Sequence, residues 1–296
     1  RRELRERYAT DGKAQNVLRQ HRLLIDRTLR SLWSEAGLPS SLALAAVGGY
    51  GRGELFPHSD VDLLVILPGE PDAELRNKLE ALIGSLWDAG LEPGHGVRTI
   101  AECLSESAKD ITVQTSLLEA RWLTGSRSLF AAFTGAMRKQ MNPQLFFQSK
   151  RLEQEQRHCK YQDSPYSLEP NLKEAPGGLR DLQAILWISR SAGLGENWMQ
   201  LAERDLITAV EARQLASHQK FLSELRIRLH YIAGRREDRL LFDYQTGLAA
   251  QFGYVDTPSK RASEELMQRY YRTAKAITQL NTLLLQNIAV QLLSGE

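Results

Sequence analysis

Residues 42–67 constrain the fold of this chain more than any other stretch. Two apolar runs flank a glycine-rich loop, and the second run opens with Asp60 and Asp62. Short apolar runs between turn residues predict buried strands. Because side chains alternate between the two faces of a strand, both carboxylates point the same way, with their Cα atoms about 6.5 Å apart.

Two neighbouring carboxylates at the entry to a buried strand repel each other, and a divalent cation removes that cost. Mg²⁺ prefers one or two carboxylates together with substrate phosphates. The glycine loop can present backbone N–H groups to such phosphates. The stretch therefore predicts a site for Mg²⁺ and a phosphate-bearing substrate. The alternative is a tight hairpin with surface aspartates, since Asp and Gly also favour turns.

The spacing of the loop excludes two common phosphate motifs. It lacks the Gly-Lys-Ser/Thr ending of a P-loop. A dinucleotide-binding loop that used Gly49 and Gly51 would need glycine at position 54, where the chain has Glu54. Both motifs lead into a helix, whereas here Pro57 interrupts the chain and a predicted strand follows.

Length and composition place the chain among ordinary globular proteins. Its 296 residues predict about two domains. The net charge of +2 gives no reason to expect nucleic acid or an anionic membrane as a partner, and no apolar run approaches the length of a membrane span. Two cysteines, Cys103 and Cys159, fit a cytoplasmic location. The N-terminus lacks the apolar segment of a signal peptide, and the absence of an initial Met suggests a fragment.

Hydrophobic periodicity predicts an α+β fold with two domains, 1–140 and 141–296. For the first domain it predicts helices over 14–36, 72–89 and 101–118 and strands over 42–47, 61–67, a segment ending at 97–100, and 118–124. For the second it predicts only helices, over 143–159, 181–192, 205–233, 244–252 and 258–293. We expect the all-helical domain to pack against the first.

The order of features in residues 42–67 resembles the nucleotidyltransferase superfamily typified by DNA polymerase beta. That order is a strand, Gly-Gly, a short bridging segment, Ser-Asp-x-Asp and a second strand. The resemblance implies that Gly48 and Gly49 hold phosphates and that Asp60 and Asp62 bind Mg²⁺ and are the catalytic carboxylates. Ser59 and Arg52 are close enough in sequence to help hold phosphate. A third carboxylate usually completes such a site, and the candidates are Glu92, Asp110 and Glu119.

A closer resemblance, to the bacterial PII uridylyltransferase/uridylyl-removing family, rests on four blocks. The blocks are residues 48–64, 94–99, 168–183 and 238–243. The resemblance implies transfer of UMP from UTP to a tyrosine of the signalling protein PII. It also implies that the family's HD and ACT domains lie outside this chain, so that we expect neither removal of UMP nor a response to glutamine. The adenylyltransferase of glutamine synthetase shares the loop and the Asp-x-Asp and is the nearest rival.

Further cationic residues are candidates for binding the nucleotide. Lys173 and Arg180 flank glycines that precede a predicted helix, an arrangement that favours anions. The alternative for this block is a structural helix cap, with Asp181 near the helix N-terminus. Arg98 on the third strand could face a phosphate, or could pair with one of the aspartates in the empty enzyme. Because the sequence assigns no third carboxylate, a non-catalytic nucleotide-binding regulatory module is a further alternative for the chain.

Overall fold

The computed structural model describes residues 6, 8, 14–161 and 164–294. It divides the chain into two compact units, which meet in sequence between Met141 and Asn142. The first unit combines a sheet with helices and the second is helical, so the predicted α+β class is confirmed. Within the described residues, no helix is both long and apolar enough to cross a membrane.

The first unit is built on a mixed sheet of four strands in its described part. The order across the sheet is β3-β2-β1-β4, with β2 and β3 parallel and the other two pairs antiparallel. The strands are β1 (Ala43–Ala46), β2 (Val61–Leu67), β3 (Pro93–Thr99) and β4 (Arg121–Gly125). The helices are α1 (Ala14–Glu35), the single turn α2 (Gly48–Gly51), α3 (Ala73–Asp88), α4 (Ile100–Lys109), α5 (Ile111–Leu118) and α6 (Arg127–Gln140).

The two faces of the sheet are covered by different helices, which fixes the register of β2. Leu63 and Val65 face a core shared with α1 and α3, whereas Leu64 and Ile66 face a core shared with α4, α5 and α6. A slip of one residue would exchange these two sets of side chains. Because side chains alternate, Asp62 belongs to the face of Leu64, at the end where the strand begins.

All four predicted strands are present, but the helix predicted over 101–118 is two helices. Asp110 separates them because its backbone is extended (φ −133°) and its side chain accepts a hydrogen bond from the N–H of Thr112. An aspartate whose side chain hydrogen-bonds to the backbone that follows it is more stable at a helix cap than in the interior of a helix. The helix α6, for which the sequence pattern gave no prediction, follows β4 and begins at a Ser126 cap.

The second unit contains six helices in its described residues. They are α7 (Pro143–Lys160), α8 (Leu179–Ser191), α9 (Trp198–Glu203), α10 (Ala209–Ala233), α11 (Phe242–Gln251) and α12 (Ala262–Ser294). The short α9 lies in a stretch that was not predicted to be helical. The other five correspond to the predicted helices, with ends that differ by a few residues.

The sequence blocks 168–183 and 238–243 are hydrogen-bonded to each other in the second unit. The N–H of Leu172 donates to the carbonyl of Asp238, and the N–H of Leu240 donates to the carbonyl of Pro170. Gly177 (φ +76°) packs so closely on α12 that an added Cβ would lie 2.2 Å from the carbonyl oxygen of Ala274. Packing therefore explains this glycine without any ligand.

Candidate active site

Asp60 and Asp62 lie where β2 begins, at one end of the sheet. Both side chains are half-buried. Asp62 is opposite Gly94 in the parallel register of β2 and β3. A Cβ added to Gly94 would come within 2.3 Å of Oδ1 of Asp62. Glycine at this position therefore leaves room for the carboxylate.

The glycine-rich loop starts as the single helical turn α2, which the sequence pattern did not predict. Gly48 adopts φ +56°, and a Cβ there would lie 3.3 Å from Oδ2 of Asp62. The first hydrogen bond of the turn runs from the N–H of Gly51 to the carbonyl of Val47 (2.9 Å). The N–H groups of Gly48 and Gly49 precede that bond, so the turn brings backbone donors beside the Asp62 carboxylate.

A tight turn leads from the glycine loop into the aspartates. The N–H of Ser59 donates to the carbonyl of Phe56 at 3.1 Å. Proline at the second position of this turn and a positive φ at the third, His58 with +60°, are features of a type II turn. The turn leaves Ser59 half-buried and immediately before Asp60.

A buried cluster of polar side chains anchors the glycine turn to α1 and β4. The hydroxyl of Tyr50, which is 1% exposed, donates to Asp26 at 2.5 Å, and Arg121 makes two further bonds to the same carboxylate. Burial and the Asp26 carboxylate raise the pKa of Tyr50 above its usual range. The phenol thus stays protonated as a donor. Arg121 also donates to the carbonyl of Gly51 at 3.3 Å, so the cluster fixes the backbone of the turn.

Replacement of Tyr50 by phenylalanine is expected to lower the free energy of unfolding by about 1.5–3 kcal/mol, since one hydrogen bond to a buried carboxylate is lost. Denaturant unfolding followed by far-UV circular dichroism measures this change. Tyr244→Phe is the matched control, because Tyr244 is half-buried and has no charged partner among the described residues. Equal stability of the two variants would contradict an anchoring role.

Arg52 is held by two carboxylates. Its Nε atom donates to Glu54 at 2.8 Å and its Nη1 atom bonds to the buried Glu119. Burial alone would lower the pKa of Arg52, but these two carboxylates raise it above its usual range. Its Nη2 atom lies 3.8 Å from where a Cβ on Gly49 would be. Phosphate contact by Arg52 remains a prediction.

The three candidates for a third carboxylate lie in different surroundings. Glu119 is paired with Arg52, and Asp110 caps α5, where hydrogen bonds from Thr112 lower its pKa. Glu92 is exposed at the start of β3, and its carbonyl accepts a bond from the N–H of Val61, at the same end of the sheet as Asp60. The described residues contain no group of three or more His, Cys, Asp or Glu side chains that could hold a metal ion.

Ser116 is a candidate that sequence reasoning missed. It lies on α5, and its Oγ atom is 3.4 Å from where a Cβ on Gly48 would be. Oδ2 of Asp62 lies 3.3 Å from the same position. The hydroxyl and the carboxylate thus converge on the first glycine of the turn. A lone serine in an eight-residue helix gives no signal in the sequence. Only the packing of α5 against α2 reveals it.

Arg98 shares a face of β3 with Gly94 and Gly96. Its guanidinium carbon is 3.8 Å from where a Cβ on Gly96 would be. On this face of β3 only Gly96 lies between Arg98 and Gly94, which is opposite Asp62, and Leu64 of β2 also contacts the position of Gly96. Arg98 makes no ion pair with a carboxylate of the described residues. The predicted alternative, an ion pair with Asp60 or Asp62, is therefore absent from the described residues.

The start of α8, in the second unit, is already saturated with hydrogen bonds. The N–H groups of Leu179 and Arg180 donate to the carbonyls of Leu172 and Lys173. The fully buried Asp181 accepts from the N–H of Gly177 at 2.7 Å. Arg157 and His158 also bond to Asp181, and they lower its pKa although burial would raise it. This helix start is a structural cap, so backbone groups there are not available to an anion.

The side chains of Lys173 and Arg180 form a separate cationic cluster. Both contact Glu174, at 3.5 and 3.2 Å, and Arg180 lies over the ring of Trp187. The buried ammonium group of Lys150 lies over the same ring, 4.6 Å from its centre. Burial, together with Arg180 and Arg226, lowers the pKa of Lys173 to about 8. Such a surplus of positive charge favours an anionic ligand.

A mixed sheet in which a glycine turn contacts Asp62 on the next strand, with Asp60 just before that strand, is typical of nucleotidyltransferase domains. Residues 25–118 match the family model described as nucleotidyltransferase domain. Residues 145–285 match the family described as GlnD PII-uridylyltransferase. The chain therefore carries a nucleotidyltransferase domain, and the resemblance to the PII uridylyltransferase family drawn from the four blocks is confirmed.

Proteins similar to this chain have a more specific name than the domain family. A bifunctional uridylyltransferase/uridylyl-removing enzyme of Burkholderia orbicola is 55% identical over 290 residues, which is 98% of this chain and 34% of the relative. Its counterpart in Burkholderia thailandensis is 56% identical over the same shares. That of Burkholderia pseudomallei is 59% identical over 267 residues, 90% of this chain and 31% of the relative. The chain spans about a third of the length of these relatives.

Proposed function

We propose that the chain transfers UMP from UTP to a tyrosine hydroxyl of the signalling protein PII and releases pyrophosphate. The observation that carries the proposal is the Asp62 carboxylate bordered by the two glycines, Gly48 and Gly94, with backbone donors beside it. The names of the relatives support uridylyl transfer over other nucleotidyl transfers. The two free cysteines, Cys103 and Cys159, suit a cytoplasmic enzyme.

Asp60 and Asp62 would hold Mg²⁺ in this proposal. The donor set fits the ion, because both ligands are carboxylates and glycine at positions 48 and 94 leaves room for the Asp62 carboxylate. A site of two carboxylates leaves further positions to substrate phosphates and water, which Mg²⁺ prefers. When bound, the ion supplies charge neutralisation on the phosphates during transfer.

The side chains and backbone groups of the chain bind and orient the triphosphate in this mechanism. The N–H groups of Gly48 and Gly49 donate to its oxygens, with Ser59 and Nη2 of Arg52 nearby. Arg98 offers a cation on the face of the sheet that carries Asp62. Lys173 and Arg180 of the second unit were also predicted to bind the nucleotide, and their contacts with Glu174 leave a surplus of positive charge that favours an anion.

The reaction itself needs no nucleophile from the enzyme. The tyrosine oxygen forms a bond to the α-phosphorus, the bond from that phosphorus to the bridging oxygen breaks, and pyrophosphate leaves with the electron pair. The phenolic proton is released. Orientation of the α-phosphate beside Asp60 and Asp62 is therefore the main task of the residues described above.

Transfer assays with two nucleotides and two acceptors test the proposal. The chain is incubated with α-labelled UTP or ATP and with either PII or glutamine synthetase, and label on the protein is measured. We expect label only from UTP and only on PII. Label from ATP on glutamine synthetase would establish the adenylyltransferase instead. Absence of label in all four reactions, together with binding of UTP, would indicate a regulatory module.

We propose that the Ser116 hydroxyl, which lies beside Gly48, donates to a phosphate of UTP. Ser116→Ala is then expected to raise the KM for UTP about tenfold and to leave kcat within a factor of about two, because one hydrogen bond to a charged phosphate is worth about 1.5 kcal/mol. Initial rates of transfer to PII at varied UTP measure both constants. Ser105→Ala on the exposed side of α4 is the matched control. An unchanged KM in Ser116→Ala would remove this residue from the site.

A further inference from the structure

A groove of about 550 Å³ runs along the N-terminal half of α12 in the second unit. One wall is the segment that contains Tyr166 and Leu168, and the start of α11 with Phe242 closes it. These three side chains are more than half exposed, with Leu168 at 66%. Exposed apolar groups of this size gathered at one place mark an interaction site more often than a chance surface.

The groove is preformed. The hydroxyl of Tyr271 on α12 donates to the carbonyl of Ser167, and Gln245 on α11 donates to the carbonyl of Leu168 at 2.9 Å. The N–H of Phe242 donates to the carboxylate of Glu169 at 2.9 Å. These bonds pin the segment to both helices, so a ligand would meet walls that need little ordering, which lowers the entropic cost of binding.

The groove is lined by more cations than carboxylates. Arg261, Arg272 and Lys275 line it, against Glu264 alone. None of the three cations makes an ion pair with a carboxylate among the described residues. Elsewhere in the unit, Arg226 is paired with Asp238 and Arg235 with Glu237. The groove therefore offers unneutralised positive charge beside exposed apolar surface.

We propose that this groove docks the acceptor protein through an acidic surface segment that carries an apolar anchor. The inference rests on the proposed function and adds the acceptor-binding surface to it. A tyrosine phenol gives far less contact area than the roughly 800 Å² per partner of a specific protein interface, so an enzyme that modifies a protein needs a second contact surface. Apolar anchors surrounded by charges of one sign supply both affinity and selection of a partner of opposite charge.

The test is a charge reversal of the two exposed cations, Arg272→Glu with Lys275→Glu. We expect the KM for PII to rise about tenfold and binding of fluorescently labelled PII to weaken equally, while the KM for UTP stays within a factor of about two. The control is Arg213→Glu with Lys220→Glu, a reversal of the same size at two exposed positions of α10 outside the groove. Added salt should weaken PII binding by the wild-type chain more than by the groove variant.

The outcomes separate docking from chemistry. Equal affinity for PII in the groove variant and in the control variant would overturn the docking surface. So would a groove variant that loses self-association, measured by sedimentation, and keeps its PII affinity, because the groove would then bind a second copy of the chain. If the wild-type chain binds PII but transfers no UMP, the proposed function fails, while the binding comparison still decides the role of the groove.

Discussion

Asp62→Asn is expected to reduce the rate of UMP transfer to PII by about 10³-fold. Asparagine keeps the shape of the side chain but removes the negative charge that would hold Mg²⁺ beside the triphosphate, and a loss of about 4 kcal/mol of charge stabilisation corresponds to that factor. Single-turnover measurement with enzyme in excess over labelled UTP gives the rate of the chemical step. Asp60→Asn should behave in the same way, because Asp60 is the second predicted metal ligand and lies directly before β2.

Stability distinguishes this effect from a folding defect. Asp60 and Asp62 repel each other without a cation, so removal of one charge should leave the free energy of unfolding unchanged or slightly higher. Asp88→Asn at the exposed end of α3 is the control and should retain full activity. Transfer at the wild-type rate by Asp62→Asn would exclude the proposed metal site. A loss of activity accompanied by a large loss of stability would point to a structural role instead.

The parts of the fold that were predicted correctly depend on short-range patterns. The apolar runs around the glycine loop become β1 and β2, and alternation along β2 places Asp62 on the face of Leu64. Each of these features follows from residues next to each other in sequence. The candidate metal ligands could therefore be identified before any tertiary contact was known.

The parts that were not predicted depend on contacts between residues far apart in sequence. Arg52 was assigned to phosphate from its place in the loop, yet its guanidinium is bonded to Glu119, 67 residues away. Ser116 reaches the site only because α5 packs against the glycine turn. No local pattern records either pairing, because both are set by how the helices cover the sheet.

The block around Lys173 and Arg180 illustrates a second limit of prediction from sequence. Glycines before a helix are compatible with anion binding and with close packing, and the sequence alone does not separate the two. The structure separates them, since Gly177 packs against α12 and the backbone donors at the start of α8 are used. The positive side chains remain the feature of this block that favours an anion.

Gly94→Ala is the prediction that best separates geometry from charge at the site. The added Cβ would come within 2.3 Å of Oδ1 of Asp62. The carboxylate is the end of a side chain and can turn away, so the fold should persist while the Asp62 carboxylate is displaced from the proposed metal site. We expect UMP transfer to fall by about 10²-fold, since misplacement of a reacting group by about 1 Å has an effect of that size. Transfer rates and thermal unfolding, measured on the same preparation, report the two properties separately.

Gly96→Ala provides the matched control for this substitution. Gly96 lies two residues further along the same face of β3, where an added Cβ would meet nothing closer than 3.6 Å, an ordinary contact. The two variants therefore share the loss of a glycine and the added methyl group, and differ only in whether Asp62 must move. Equal activity in both would mean that the position of the Asp62 carboxylate does not matter, and the proposed site would have to be abandoned. Activity lost only in Gly94→Ala, with equal stability, would tie the reaction to this carboxylate.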